Sequence, residues 1–387
     1  MRKLKSMFES PAAISLYGSL ISIGAGLLFG LILLLCLNAQ YAFYGFGKII
    51  GAGFSSTDKL AKVLYQAAPL IMTGLSVGFA FKTGLFNIGA SGQYTVGAGL
   101  ALIFAIQFQQ PWYVCLIVAM LAGAIWGFFP GFFKAFFTVN EVITSIMFNW
   151  IALFATNLTI SNMPMMLAKF WGASQVDRTA ALRDANPAAL IPKLGLDKLL
   201  NSSYMNISIF IAIIIAVVMW IVLSKTTFGY ELKACGYNRS ASLYAGINAK
   251  RNIILSMVIA GALSGIGGGL YYLAGTGQYT LVKTLLTAGF NGIPVALLAS
   301  SNPVGTIFSA LFVSYIQVGG EAMQPEFVKE NIDIIIAVII YLSAFALLIR
   351  EMLSRKRKLD IGNVNAEPID TAMPQLDEKT PAKESEV

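Results

Sequence analysis

Long uncharged apolar stretches separated by short charged segments set the pattern of this chain. A charge at the centre of a bilayer costs at least about 2.5–3.5 kcal/mol, so the charge-free intervals outline helices that cross a membrane, each needing roughly 20 apolar residues. Nothing is charged between Glu9 and Lys48. The apolar run over 16–37 exceeds a signal-peptide core of about 7–15 residues and lacks an A-x-A cleavage site, so it reads as an uncleaved first helix. Between Lys82 and Lys134 the uncharged stretch is too long for one helix, and Gln107-Phe108-Gln109-Gln110-Pro111 in its middle reads as a hairpin turn. Spans are predicted on this basis at 16–37, 61–81, 87–107, 112–133, 139–160, 207–224, 252–274, 284–300, 304–320 and 332–350. The fold class is all-α, a polytopic bundle of about 10 transmembrane helices with both termini cytoplasmic.

That orientation places Arg2, Lys3, Lys5, Lys82, Lys134, Lys225, Lys233, Arg239, Lys250, Arg251, Arg350 and the basic run to Lys358 inside, as the positive-inside rule requires. The expected organisation is a cytoplasmic N-terminus (1–15), a transmembrane domain (16–350) and a cytoplasmic tail (351–387). Within the membrane domain, 161–203 is an external loop and 225–251 a cytoplasmic one. The tail is rich in Pro, Glu, Lys, Asp and Thr and poor in large apolar residues, so it is expected to stay disordered.

Composition agrees: 57% of the 387 residues are hydrophobic, 12% are charged, and mean hydropathy is +0.71. The net charge of +8 follows the topology and implies anionic lipid as a neighbour, with no nucleic acid as partner. The absence of histidine removes the usual general base and imidazole metal ligand. Cys36, Cys115 and Cys235 lie too far apart in sequence for a C-x-x-C site and read as apolar filler. No catalytic residues, metal or cofactor are expected. Neither is a G-x-x-x-x-G-K-[ST] loop present, so the chain does not itself cradle ATP phosphates by that means.

Polar residues inside the spans need partners or water, which makes them the candidates for a substrate path. They are Asn87, Ser91 and Gln93 at the glycine-interrupted start of the third span, Asn140, Glu141, Thr144 and Asn149 along the fifth, and Asn291 in the eighth. Asn140-Glu141 also suits a helix N-terminus, where Asn caps and Glu complements the dipole. Glu141 is read as the one candidate carboxylate within the membrane. In the eighth span Gly289, Gly292 and Pro294, with Asn302-Pro303 beyond, predict a broken or re-entrant pair of short helices. Gly123, Gly127 and Gly131 share one helical face, and Gly261, Gly265 and Gly269 another, as ridges for close helix packing.

The loop over 225–251 is amphipathic and basic, with an alanine-rich helical stretch ending at Gly246, suited to docking in a protein groove. Here the motifs resemble the permease subunits of ATP-binding-cassette importers in the simple-sugar and branched-chain amino-acid group, and within it the nucleoside (guanosine-type) branch. The resemblance rests on Phe86-Asn87-Ile88-Gly89, Val139-Asn140-Glu141-Val142-Ile143-Thr144, Thr227-Phe228-Gly229-Tyr230-Glu231-Leu232 and Gly289-Phe290-Asn291-Gly292-Ile293. It implies a channel half in the cell membrane that pairs with a second permease as a heterodimer. It further implies two cytoplasmic ATPase subunits, or one double ATPase, and an external substrate-binding lipoprotein. The same resemblance makes Gly229, Glu231, Arg239, Tyr244 and Gly246 the element that couples to the ATPase. A pentose or other simple sugar as cargo, and a secondary nucleoside carrier acting alone, are the alternative functions, and a membrane-embedded enzyme is disfavoured by the missing histidines.

Overall fold

The computed structural model describes residues 11–341, apart from positions 329, 332, 336, 339 and 340. The tail over 351–387, most of the span expected at 332–350 and the first ten residues lie outside the described residues. The principal elements among the described residues are helices: α1 (Pro11–Leu37), α2 (Ala39–Gly51), α3 (Thr57–Lys82), α4 (Ala90–Ile106), α5 (Trp112–Phe137), α6 (Glu141–Ser161), α7 (Ser208–Lys225), α8 (Thr227–Tyr237), α9 (Arg239–Tyr244), α10 (Ala249–Tyr272), α11 (Thr287–Phe290), α12 (Gly292–Leu298) and α13 (Pro303–Glu321); the connection between α6 and α7 adds two four-residue helices, Leu182–Ala185 and Leu196–Leu199.

Six of these, α3, α5, α6, α7, α10 and α13, are long and apolar enough to cross a membrane by length and composition, and they sit on the spans expected from charge spacing. Their unpartnered faces are apolar. On α5 the stripe Ile117, Leu121, Ile125 and Phe128 is exposed, and on α6 Ile143, Met147, Trp150, Phe154 and Leu158 are. Faces of this kind suit lipid rather than water. Helix ends follow local chemistry: the Ser56 hydroxyl accepts from the Lys59 N–H at 3.2 Å, and Asp58 and Lys82 stand in the first and last turns of α3.

Two expectations change. The segment at 284–300 is not a single span, because α12 has seven residues and α11 four. At 1.5 Å per residue α12 is about 11 Å long, against a hydrocarbon core of about 30 Å. The break falls at Asn291, between the two short helices, while Gly289 and the proline expected to break the span, Pro294, lie inside them; Ser300 and Ser301 close the segment with φ of 50° and 55°. Helix α2 was unforeseen. Its residues Ala42, Gly45 and Ile49 are buried, and Gly45 lies against Met323 and Phe327. Tyr41, Phe43 and Tyr44 on its other side are exposed. A short stretch of mixed polarity that includes Lys48 gave no span signal there.

Helix α10 is the centre of the bundle. The two glycine ridges of the sequence pack on one another: a Cβ on Gly261 would strike the Gly123 carbonyl oxygen, one on Gly123 the Gly261 carbonyl oxygen, and one on Gly265 the carbonyl of Ala119. Gly97 of α4 meets Gly265, and Gly268 meets Tyr94 and Ala98. Backbone touches backbone along the α5–α10 seam, the geometry that small residues permit where no hydrophobic effect joins helices.

The connection between α6 and α7 closes one end of the bundle. Asn186 Nδ2 donates to the carbonyls of Ala105 (2.8 Å) and Gln110 (3.1 Å), satisfying an otherwise orphan acceptor at the end of α4. Ile191 N bonds to Leu273 O at 3.0 Å and Thr179 N to Tyr279 O at 2.9 Å. These bonds tie the connection to the end of α10 and the turn after it.

Candidate functional site

Residues 83–89, between α3 and α4, turn back into the bundle and bury Asn87 completely. Its amide donates to Ser76 Oγ of α3 at 3.0 Å and to Gln93 Oε1 at 2.8 Å, while Gln93 Nε2 donates to Asn87 Oδ1 at 3.1 Å. Asn149, reaching in from α6, accepts from Gly92 N at 2.8 Å and donates to Ile88 O at 3.1 Å. Ser91 Oγ donates to Leu286 O at 2.9 Å, and Gly289 of α11 lies against the Ser91 backbone. Four sequence-predicted residues, Asn87, Ser91, Gln93 and Asn149, therefore meet in one buried knot where α3, α4, α6 and the broken segment converge. Ser145 Oγ, beside Gly89, is buried there with no hydrogen-bond partner.

The other predicted residues stand apart from the knot. Asn140 is exposed and caps α6, accepting from Val142 N at 2.9 Å. Glu141 forms an ion pair with Lys134 at 2.8 Å, and Thr144 Oγ1 donates back to Asn140 O at 3.1 Å. Asn291 joins α11 to α12, half-exposed, with no side-chain cap bond.

The knot makes a stability prediction. Asn87→Leu strands Gln93 and Ser76 in a buried setting, and an unmade buried hydrogen bond costs about 1–3 kcal/mol. A loss of about 2–4 kcal/mol is expected for the detergent-purified protein in chemical denaturation, with Asn149→Leu similar.

At the opposite end of α10 from the 161–207 connection, α8 and α9 form a helical hairpin. Thr226 caps α8 by accepting from Gly229 N at 3.0 Å, and Gly229 packs against the Val222 carbonyl. Gly236 sits on the backbone of Thr83 and Gly84, fastening α8 to the same turn that carries Asn87. Asn252 Nδ2 donates to Glu231 Oε2 at 3.3 Å. Asn238 caps α9 by accepting from Ala241 N at 3.0 Å, and Gly246, at φ +79°, turns the chain towards α10. Arg239 is half-exposed. Tyr237 and Tyr244 are 90% and 96% exposed, so the hairpin ends in aromatic groups that touch little of this chain.

One polar cluster was missed in the sequence. Glu321, the last residue of α13, forms an ion pair with Lys62 of α3, and Gln66 Nε2 donates to Glu321 Oε1 at 3.1 Å. Glu141 is thus not the single carboxylate on a span. The signal that could have found the cluster is Lys62 and Gln66 one turn apart near the start of an apolar run.

Lipid-suited faces, a broken segment laid into a polar knot and an exposed hairpin fastened to the Thr83–Gly84 turn define a polytopic membrane protein with a buried polar centre. The sequence comparisons make this specific. A family described as branched-chain amino acid transport system / permease component matches residues 59–344, and the chain belongs to it. Over 346 residues it is 37% identical to the guanosine ABC transporter permease protein NupP of Bacillus subtilis, covering 88% of this chain and 96% of that one. It is 36% identical to the nucleoside ABC transporter permease protein NupB of Lactococcus lactis, with 88% and 93% covered. A second Bacillus subtilis guanosine permease, NupQ, is 29% identical over 66% of this chain and 79% of its own length. No solved structure matches. The chain is a permease subunit of an ATP-binding-cassette importer and an integral protein of the plasma membrane.

Proposed function

We propose that this permease carries nucleosides into the cell as one half of a heterodimeric channel. The observation that carries this reading is the similarity to two nucleoside permeases along 88% of the chain. The heterodimer is supported by NupP and NupQ, two different guanosine permeases of one organism, to which this chain is unequally similar. A neutral, polar cargo suits a path whose candidate groups are mostly amides and hydroxyls.

In the proposed topology the chain crosses about ten times with both termini cytoplasmic, so the α8–α9 hairpin faces the cytoplasm and the 161–207 connection faces outward, towards a binding lipoprotein. The hairpin meets the ATPase through Gly229, Glu231, Arg239, Tyr244 and Gly246, of which Tyr244 and Gly246 are its exposed part. Since α8 rests on the Thr83–Gly84 turn, movement of the hairpin is passed to Asn87 three to four residues away. The path runs beside Asn291 and the knot of Asn87, Ser91, Gln93 and Asn149, with Asn140, Glu141 and Thr144 towards its cytoplasmic end. In the structure described here the knot's amides are engaged with one another, which fits a closed state that opens during the cycle.

The test is uptake by proteoliposomes containing the permease pair, the ATPase and the binding protein. Guanosine uptake that requires ATP is expected. Transport of a pentose but of no nucleoside, or nucleoside uptake by the single chain on a proton gradient without ATP, would overturn the reading.

A further inference from the structure

The Lys62–Gln66–Glu321 cluster lies at the end of the bundle that the proposed topology turns outward. Four separate segments converge on it. Lys62 and Gln66 are successive turns of α3, and Glu321 ends α13. Tyr271 belongs to the last turn of α10, with Thr276 in the loop just beyond, and Tyr204 comes from the connection before α7. The Lys62 ammonium stands 5.7 Å from the centre of the Tyr204 ring. Tyr65 lies between the other two tyrosines, its centroid 5.8 Å from that of Tyr204 and 5.3 Å from that of Tyr271, stacked on the latter. The Tyr65 hydroxyl donates to Tyr271 O at 3.1 Å.

Two observations point beyond a clamp between helices. Because a carboxylate only accepts, the bond from Gln66 Nε2 to Glu321 fixes the amide orientation and turns Gln66 Oε1 away from it. That oxygen is buried and has no donor. Unmade buried hydrogen bonds are costly enough that they tend to mark a place for a ligand or water. The cluster is also partly open: the Lys62 and Glu321 side chains are 29% and 38% exposed, and Tyr204 and Tyr271 are half-buried.

We propose that these residues form a receiving site for the nucleoside at the outer mouth of the permease. The inference rests on the nucleoside reading above. Gln66 Oε1 accepts from an N–H of the base, Thr276 Oγ1 and the Glu321 carboxylate engage ribose hydroxyls, and Tyr204 and Tyr271 offer ring faces to the planar base. Aromatic faces give a nucleoside a stacking partner that a free sugar, with no ring π-system, uses less well. The site takes the cargo as it leaves the binding protein and sets which base is passed inward.

The experiment uses the full complex in proteoliposomes with its binding protein, at saturating guanosine. Gln66→Met keeps side-chain volume and removes the amide, and a maximal uptake rate lowered about tenfold is expected, one lost hydrogen bond of about 1.4 kcal/mol. Tyr271→Leu, which removes the ring face, is expected to lose about tenfold. Wild-type rates in both Gln66→Met and Tyr271→Leu overturn the site while leaving nucleoside import standing. A wild-type complex that carries no nucleoside overturns the import reading itself. A second measurement covers variants that assemble poorly: a Gln66→Cys permease is labelled with a membrane-impermeant thiol reagent. Guanosine is expected to slow labelling at least about threefold and glucose is not. Equal labelling with and without guanosine makes the cluster a helix clamp only and overturns the proposal.

Discussion

Gly261→Ala lowers the melting temperature of the purified permease, and Gly261→Leu leaves no folded permease to melt. The sign is the informative part. Alanine in place of glycine within a helix ordinarily stabilises by about 0.5–1 kcal/mol, because it restricts the unfolded chain and favours the helix. At Gly261 the added carbon falls on the Gly123 carbonyl oxygen, with the Gly127 Cα only 3.0 Å away. Both obstacles are backbone, and no rotamer change clears them. The α5–α10 seam must open, and since Gly123, Gly127, Gly261 and Gly265 all sit in it, dispersion contacts are lost along its length. Overpacking of this kind costs about 1–3 kcal/mol for a methyl group and more for leucine. Gly47 of α2 provides the control, because a Cβ there meets nothing within 4 Å. Gly47→Ala is expected to hold or raise stability by up to about 1 kcal/mol. Thermal unfolding of the two alanine variants in the same detergent checks the pair, and shifts of equal sign at positions 47 and 261 would sink the backbone-contact account.

That seam was readable before any coordinates, and the reason is physical. Glycines four apart share a helix face, and in a bilayer a smooth face is useful only for close packing, so Gly123, Gly127 and Gly131 announced a contact. Charge spacing was equally informative, because lipid penalises charges so strongly that the gaps between them bound the helices. Where the penalty is absent the reading weakened. Helix α2 is short, carries Lys48 in its last turn and buries only Ala42, Gly45 and Ile49, so no long apolar run marked it. The path candidates fared unevenly for a related reason. A buried amide announces that it needs a partner and leaves open which one. Asn87, Gln93 and Asn149 found theirs in one another and in nearby backbone, while Asn140 found the first turn of its own helix. Glu321 escaped notice because it stands one residue past the expected edge of its span, and its partners Lys62 and Gln66 are about 255 residues away in sequence. Long-range pairing of this kind has no signature in local pattern.

The Leu243→Asp, Tyr244→Asp double variant should fold normally and yet fail to hold the ATPase. Leu243 is 56% exposed and Tyr244 96%, so neither supports the bundle, and surface changes away from packed features shift stability by no more than about 0.5 kcal/mol. In the proposed topology the hairpin faces water, and bare apolar groups there call for something to cover them. Buried aromatic anchors at protein interfaces commonly contribute 2 kcal/mol or more. Losing the tyrosine alone then weakens association by roughly thirty-fold, and a carboxylate placed in the same apolar contact weakens it further. The expected result is wild-type melting of the permease with no copurifying ATPase and no ATP-driven uptake. Gly246→Val separates contact from geometry, since it touches no exposed aromatic group but forces a β-branched residue to φ +79°, at a cost of about 1–2 kcal/mol. It should misalign the hairpin, leaving the ATPase bound but poorly coupled, with hydrolysis no longer matched by uptake. Retention of the ATPase by the double aspartate variant would place the docking surface elsewhere, on the half-exposed flank of α8 that carries Lys233 and Cys235.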